Sequence, residues 1–342
     1  MSCIEQNLFT TASIVTRYPN NPVLSSQDVP GQPSLIFNAG VCKYQGQYVM
    51  AYRCDDCTNM DQANGDTIPH QFKTWIGFAY SDNGLQWRTS GKPCFEMHND
   101  EIRRAYDPRL TVIEGKVVMC FAIDTQHGVR GGIAVTEDFE NFKIQTMTTP
   151  DNRNMVLFPE KINGLYVRLE RPFPVYSRGK DQFDLWLSQS PDLRYWGDHR
   201  LLLAVEDVPF ANDKIGPAAP PIKTKAGWLT TFHAVDIDFN RGKNGWEKTW
   251  KKRYTAGIML LDLNDPTQII GISKRPLMTP ETHYECNAGF RHNVIFPGGM
   301  ILEDDGEVKI YYGAADTVEA LATAHVDDLI ALWSEPGPSH LF

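Results

Sequence analysis

Cysteine is scarce in this chain, and its pattern argues against a disulfide scaffold. Seven cysteines, an odd number, are scattered through 342 residues, as reduced thiols would be. Cys54-x-x-Cys57 is the single close pair, and with no second pair or histidine at ligand spacing no metal site is expected. Positive charge is scarce too: 33 Lys and Arg stand against 42 Asp and Glu, a formal net charge of −9. No basic run interrupts that balance, so neither nucleic acid nor a membrane surface is an expected partner, and any anion site must be a local cluster. No apolar stretch approaches the roughly 20 residues of a membrane span. Residues 1–10 lack the basic start and apolar core of a secretory leader, so a cytoplasmic protein is expected. Helical periodicity is missing apart from a turn or two at Val326–Ile330, and few stretches read as low complexity or linker.

What the chain has in abundance is one repeated design. Five segments run from an apolar strand through a short glycine turn into a second strand, rich in aromatics, that ends on a polar residue. They are 38–53 turning at Gln45-Gly46, 107–124 at Glu114-Gly115, 154–171 at Asn163-Gly164, 214–233 at Ala226-Gly227, and 293–316 at Asp305-Gly306. Each reads as a β-hairpin. A further strand follows each one, often closed by a bulky residue such as Trp87, Phe142, Trp196 or Ile270. Five units in 342 residues give about 68 each, room for four short strands with loops. The expected fold is therefore all-β, a five-bladed β-propeller forming a single domain over 1–342 with short terminal extensions. A pair of β-sandwiches also needs many short strands, but gives no reason for one hairpin signature to occur five times.

A propeller turns distant positions into neighbours. With the first strand of each hairpin innermost, its start and the end of its antiparallel partner lie at the same end of the blade. The starts are Asn38, Asp107, Arg153 with Asn154, Lys214 and Asn293; the ends are Arg53, Asp124, Arg171, His233 and Asp316. One mouth of the ring thus gathers a polar set too costly to bury unpaired, which marks a ligand cleft.

The chemistry follows from the signs of charge. A glycosidase uses two carboxylates, one as acid and one as base or nucleophile. Here Asp107 suits the acid, but Arg153, Arg171, Lys214 and His233 suit a doubly charged tetrahedral anion, so phosphate in place of water is the simplest nucleophile. Nearby cations also depress a carboxyl pKa, so Asp107 needs burial, a like charge or the bound anion to hold its proton.

Several ordered motifs carry a family resemblance: Tyr106-Asp107-Pro108-Arg109, Val156-Leu157-Phe158-Pro159-Glu160-Lys161-Ile162, Asp213-Lys214-Ile215-Gly216 leading to Pro220-Pro221-Ile222, Gly227-Trp228-Leu229, and Tyr311-Tyr312-Gly313-Ala314-Ala315-Asp316-Thr317. Together, from about Asn38 to Asp328, they resemble glycoside hydrolase family 130, the β-mannoside phosphorylases and related mannosidases. The resemblance implies a five-bladed propeller that cleaves β-mannosides, such as β-1,4-mannosyl-glucose or β-1,4-mannooligosaccharides, with inversion, yielding α-mannose 1-phosphate and an acceptor sugar. It makes Asp107 the general acid, acting through the mannose 3-hydroxyl. It puts Arg153, Arg171, Lys214 and His233 at phosphate positions and Asn38, Arg53, Tyr106 and Asp316 near the sugar. It implies no organic cofactor or metal, inorganic phosphate as co-substrate, and self-association into a homo-oligomer.

The chain departs from the family where Glu170, rather than a histidine, precedes Arg171, at Phe232-His233-Ala234, and at Phe296-Pro297-Gly298-Gly299, which leaves the acceptor open. Tyr106 before Asp107 resembles the mannosyl-glucose branch. The loop 240–254 is expected either to cover the mouth or to form an oligomer contact. A hydrolase would need a base, for which Asp316 or Asp304 is the candidate; a non-catalytic sugar binder would show near-equivalent sites in every blade. Asp124 is expected to brace an arginine, Asp82-Asn83-Gly84 to form a turn, and Trp75, Trp87, Trp196 and Trp228 chiefly to pack blades.

Overall fold

The computed structural model describes residues 8–57, 72–91, 95–174, 183–238 and 251–333. Five antiparallel sheets form the blades of a propeller. The first comprises Leu35–Tyr44, Gln47–Cys57, Phe72–Ser81 and Arg88–Thr89, and the second Ile102–Ile113, Lys116–Thr125, Gly128–Thr136 and Lys143–Met147. The third comprises Asn152–Leu157, Tyr166–Pro172, Leu185–Ser190 and Gly197–Leu203. In the fourth, the inner strand is split into Lys214–Pro217 and Ile222–Lys223, both paired to Trp228–Ile237, with Lys252–Leu261 and Ile269–Ile272 outside. The fifth runs Ile295–Leu302, Glu307–Ala314, Val318–His325, and its outer strand is Thr16–Arg17 from the other end of the chain.

That last pairing closes the ring, and sequence reading did not anticipate it. The strand Val318–His325 runs directly into the short helix Val326–Ile330, where a turn or two of helix was expected. Arg17 secures the closure: its guanidinium donates to Glu285 at 2.8 and 3.0 Å and to the Thr279 carbonyl at 2.6 Å.

The hairpin turns behave as their sequences require. Gln45-Gly46, Glu114-Gly115 and Asn163-Gly164 have positive φ at both central residues (50/81, 50/77 and 52/82°). This type I′ geometry matches the twist of the flanking strands. At Ala226-Gly227 and Asp305-Gly306 only the glycine is left-handed. Between the third and fourth strands of three blades a second motif recurs. Ser81, Thr136 and Ser190 accept from backbone amides two or three residues on. Asn83, Asp138 and Asp192 then cap the next two amides. The expected turn at Asp82-Asn83-Gly84 is one of these.

Aromatic rings pack between blades. Trp228 is wholly buried and meets Phe158 edge-on at 5.4 Å, and its ring N–H donates to the Leu263 carbonyl at 3.2 Å. Trp87 meets Tyr311 at 5.7 Å, and Trp196, under the Arg168 guanidinium of its own blade at 4.2 Å, packs against a cluster that includes Ile113 and Val118 of the second blade. These rings do the packing work expected of them.

Candidate active site

One backbone device, used three times, builds the mouth. The inner strands of the first three blades slip register between Phe37 and Gly40, Tyr106 and Arg109, and Arg153 and Val156. At each slip a short polar residue takes a left-handed conformation: Asn38 at φ +55°, Asp107 at +52° and Asn154 at +58°. Asn and Asp tolerate that region best among residues with a Cβ, and a bulge re-aims a side chain. All three line one cavity of about 290 Å³. The opposed strand ends arrive as antiparallel pairing dictates: Arg53 faces Phe37, Asp124 faces Arg104, and Arg171 faces Arg153.

On one side of the cavity charge is matched. Asp107 is buried, and its Oδ1 accepts from Asn38 Nδ2 and from Arg53 Nη1, both at 3.1 Å, while Oδ2 accepts from Arg153 Nη2 at 3.0 Å. Burial alone would raise this carboxyl, but Arg53, Arg153 and Arg109 overcome that and bring it down to about 2. Arg53 is itself held by Asp55 at 2.6 Å. Tyr106 lies beneath, its ring under the guanidinium groups of Arg53, Arg104 and Arg153 at 4.6, 4.8 and 5.4 Å, its hydroxyl donating to Asp124 at 2.7 Å. Asp124 also accepts from Arg104 at 2.6 Å, the bracing role expected of it. Asp316, left-handed at φ +49°, accepts from Arg291 at 3.2 Å, and burial raises its carboxyl.

On the other side positive charge is left over. Arg171, Lys214 and Lys252 line the wall with Tyr254. Both lysines share Asp213, at 3.7 and 3.1 Å. Arg171 has no carboxylate within ion-pair distance among the described residues; burial and the Arg153 charge push its guanidinium down to about 9, leaving it charged at neutral pH. Its Nη1 meets His233 Nε2 at 2.9 Å. A guanidinium only donates, so Nε2 is the acceptor and the ring proton sits on Nδ1, donating to the Pro217 carbonyl at 3.2 Å. Burial first, then Arg171 and Lys214, hold His233 well below its usual pKa, so it is neutral. A side chain at Gly216 would sit 2.5 Å from the His233 ring and 2.8 Å from Arg171 Cδ, so only glycine permits this stack.

The structure brings Asn38, Arg53, Asp107, Arg153, Arg171, Lys214 and Asp316 together around the cavity. Two residues expected there stand one layer back: His233 is fully buried behind Arg171, and Tyr106 is a platform under the arginines. The hydrolase candidate Asp304 lines a separate cavity with Gly306 and His325, beside the fifth blade's hairpin turn and away from the mouth. Sequence reading set Asn154 at the mouth, where it lines the cavity, but missed Lys252, Tyr254, Arg291 and Phe296. Lys252 and Tyr254 alternate on one face of the strand Lys252–Leu261, a period-2 signal hidden inside what was read as a loop. Of that loop, 240–250 lie outside the described residues. Burial alone would raise the Tyr254 phenol, but Lys214, Lys252, Arg291 and Arg171 bring it below its ordinary value.

Among the described residues there is no group of three or more His, Cys, Asp or Glu able to hold a metal ion, and no helix long and apolar enough to cross a membrane. The cavity's charged lining comprises two carboxylates, Asp107 and Asp316, and an excess of cations, Arg53, Arg153, Arg171, Lys214, Lys252 and Arg291. Comparison with known proteins points the same way. A β-1,4-mannooligosaccharide phosphorylase from Ruminococcus albus is 33% identical over 333 residues, spanning 93% of this chain and 90% of that one. A β-1,2-mannobiose phosphorylase from Listeria innocua is 30% identical over 364 residues, with 92% and 97% covered. The solved structure of the Listeria innocua β-1,2-mannobiose phosphorylase with β-1,2-mannobiose superposes with a TM-score of 0.78 at 28% identity, covering 93% of this chain and 99% of that one. A family model described as β-1,4-mannooligosaccharide phosphorylase matches residues 10–335, and the chain therefore belongs to glycoside hydrolase family 130.

Proposed function

We propose that this protein is an inverting β-mannoside phosphorylase, transferring a mannosyl group from a β-mannoside to inorganic phosphate. The observation that carries the reading is the charge asymmetry of the cavity: Asp107 sits opposite Arg171, Lys214 and Lys252, with Arg153 between. That is a proton donor facing an anion cradle; the cavity's second carboxylate, Asp316, is engaged by Arg291 at 3.2 Å, whereas a hydrolase would set its second carboxylate beside a water. In this reading phosphate is gripped by Arg153 and Arg171 through paired donors and by Lys214 as a point charge, with His233 fixing the angle of Arg171. Mannose lies over Asn38, Arg53 and Asp316, with Tyr106 stiffening the arginines from below. The anomeric carbon loses its bond to the acceptor oxygen and gains one to a phosphate oxygen from the opposite face. Asp107, through the mannose 3-hydroxyl, delivers the proton to the departing oxygen.

The 33% identity to a mannooligosaccharide enzyme supports β-1,4-mannooligosaccharides as substrates, and Tyr106 supports mannosyl-glucose. Incubation with β-1,4-mannobiose, mannosyl-glucose and β-1,2-mannobiose, each with and without phosphate, decides between them by the mannose 1-phosphate formed. Free mannose released at equal rates without phosphate would overturn the reading in favour of a hydrolase. A cytoplasmic homo-oligomer completes the proposal, and light scattering of the purified protein tests its subunit number.

A further inference from the structure

Among the described residues, Arg153 is the arginine that both lies beside the cation-rich wall and pairs with the acid. Its Nη2 lies 3.0 Å from Asp107 Oδ2, it is opposed across the strand pair by Arg171, and its buried Nε has no acceptor. Arg53, the other partner of Asp107, is tied twice to Asp55 and so is not free to leave.

The reaction sets a proton requirement. Hydrogen phosphate dianion enters and mannose 1-phosphate dianion leaves, so the proton that ends on the acceptor hydroxyl is one that phosphate gives up. Asp107 must hold a proton before the bond to the acceptor breaks, yet its partners in this structure are two arginines and an amide, which favour the carboxylate.

We propose that Arg153 serves two anions in turn, the Asp107 carboxylate and the incoming phosphate, so that phosphate binding and proton uptake by Asp107 are one coupled event. This rests on the phosphorylase reading. As phosphate draws the guanidinium across the cavity, Asp107 loses an ion pair and gains a dianion as neighbour, and both changes favour the protonated acid. Linkage makes the coupling reciprocal: protonation of Asp107 tightens the anion. The groups facing Asp107 are Asn38 and Arg53 of the first blade, Tyr106 and Arg109 of its own strand, Arg153 of the third, and Asp316 and Glu319 of the fifth. Arg53 and Arg109 are anchored elsewhere, by Asp55 and by the Ala218 and Asn38 carbonyls. The two acids change the starting value but contact no phosphate in this reading.

Calorimetric titration of the full chain with sulfate, a dianion that does not titrate near neutrality, counts the protons. Run at pH 6 in buffers of different ionisation enthalpy, wild type is expected to take up about half a proton or more per sulfate bound. Asp107→Asn should lose most of that uptake, and its fold is protected because asparagine already holds the same left-handed position in two other blades. Arg153→Gln should bind sulfate more weakly and take up at most half as many protons; Arg153→Lys, which keeps the charge, should fall between, and reads the same effect if the glutamine variant does not fold. Equal uptake in wild type and Asp107→Asn would overturn the coupling, and equal uptake in wild type and Arg153→Gln would remove Arg153 from it. Failure of wild type to bind either sulfate or phosphate would instead defeat the phosphorylase reading itself.

Discussion

Asp107 and Arg171 share a cavity, yet their surroundings treat charge in opposite ways. Around Asp107 each charge meets its opposite: Arg53 with Asp55 and Asp107, Arg104 with Asp124, Arg291 with Asp316. Around Arg171 a guanidinium is held by a neutral imidazole and two lysines divide one carboxylate. Buried cations without counter-charges are costly, so a fold that retains them does so for a ligand that supplies the missing negative charge. In the proposed reading the matched side holds a neutral sugar and moves a proton, and the unmatched side receives an anion.

The sharpest way to break that contrast is to neutralise the acid. Asp107→Asn keeps size and the left-handed backbone but cannot donate the proton, and turnover should fall by about a thousandfold or more, within the usual range for a positioned acid. Circular dichroism should show an intact fold. Undiminished formation of mannose 1-phosphate would remove Asp107 from the chemistry. Stripping a cation from the other wall should act more selectively. Lys214→Ala is expected to raise the KM for phosphate by about 10- to 100-fold, the scale of one charge-assisted contact, while the KM for sugar moves less than threefold. Parallel rises in both constants would deny that the two walls have separate duties.

A subtler change sits behind the cradle. His233→Phe keeps a ring of similar size but removes the acceptor, leaving Arg171 with a buried donor unpaired, a penalty of about 1–3 kcal/mol. Phosphate KM should rise by roughly tenfold with little effect on the sugar, and His233→Gln, which offers a carbonyl, should recover part of it. Because the imidazole is neutral and stays so, the pH profile of wild type and variant should keep the same shape near pH 6.5. A limb that vanishes with His233 would mean that it titrates in the active range.

The two walls were not equally legible in the sequence. Asp107, Arg153, Arg171 and Lys214 could be placed because hairpin register alone carries strand starts and ends to one rim, and the type I′ turns at Gln45-Gly46, Glu114-Gly115 and Asn163-Gly164 announce that register. The recurring Asn or Asp at each inner strand was visible as a letter but not as a left-handed bulge, which only the pairing reveals. Which layer a side chain occupies was beyond reach: His233 and Tyr106 lie at the right strand positions but face the arginines rather than the cavity. Closure by Thr16–Arg17 escaped notice because two residues make no periodic signal; Arg17 is fixed there by tertiary contacts with Glu281 and Glu285.

The least conspicuous contrast concerns two carboxyl groups near Arg109. Asp107 is brought down to about 2, whereas Glu319, buried completely and accepting one amide from Ala39 at 2.6 Å, is raised by burial to about 8 despite Arg109. The signs for stability are therefore opposite. Asp107 favours the folded state fully above its ordinary 3.8, and that contribution is lost as pH falls toward 2. Glu319 holds a proton that the unfolded chain releases, so its contribution is full below the ordinary 4.5 and is lost as pH rises through 8, with a slope of about 1.4 kcal/mol per pH unit where the two states differ by one proton. Glu319→Gln keeps the shape and removes the titration. Its melting temperature relative to wild type should climb steadily between pH 5 and 8, by on the order of 2 °C for each kcal/mol. A difference that stays flat across that window would mean that Glu319 is ionised in the folded ring, and that Arg109 neutralises both acids alike.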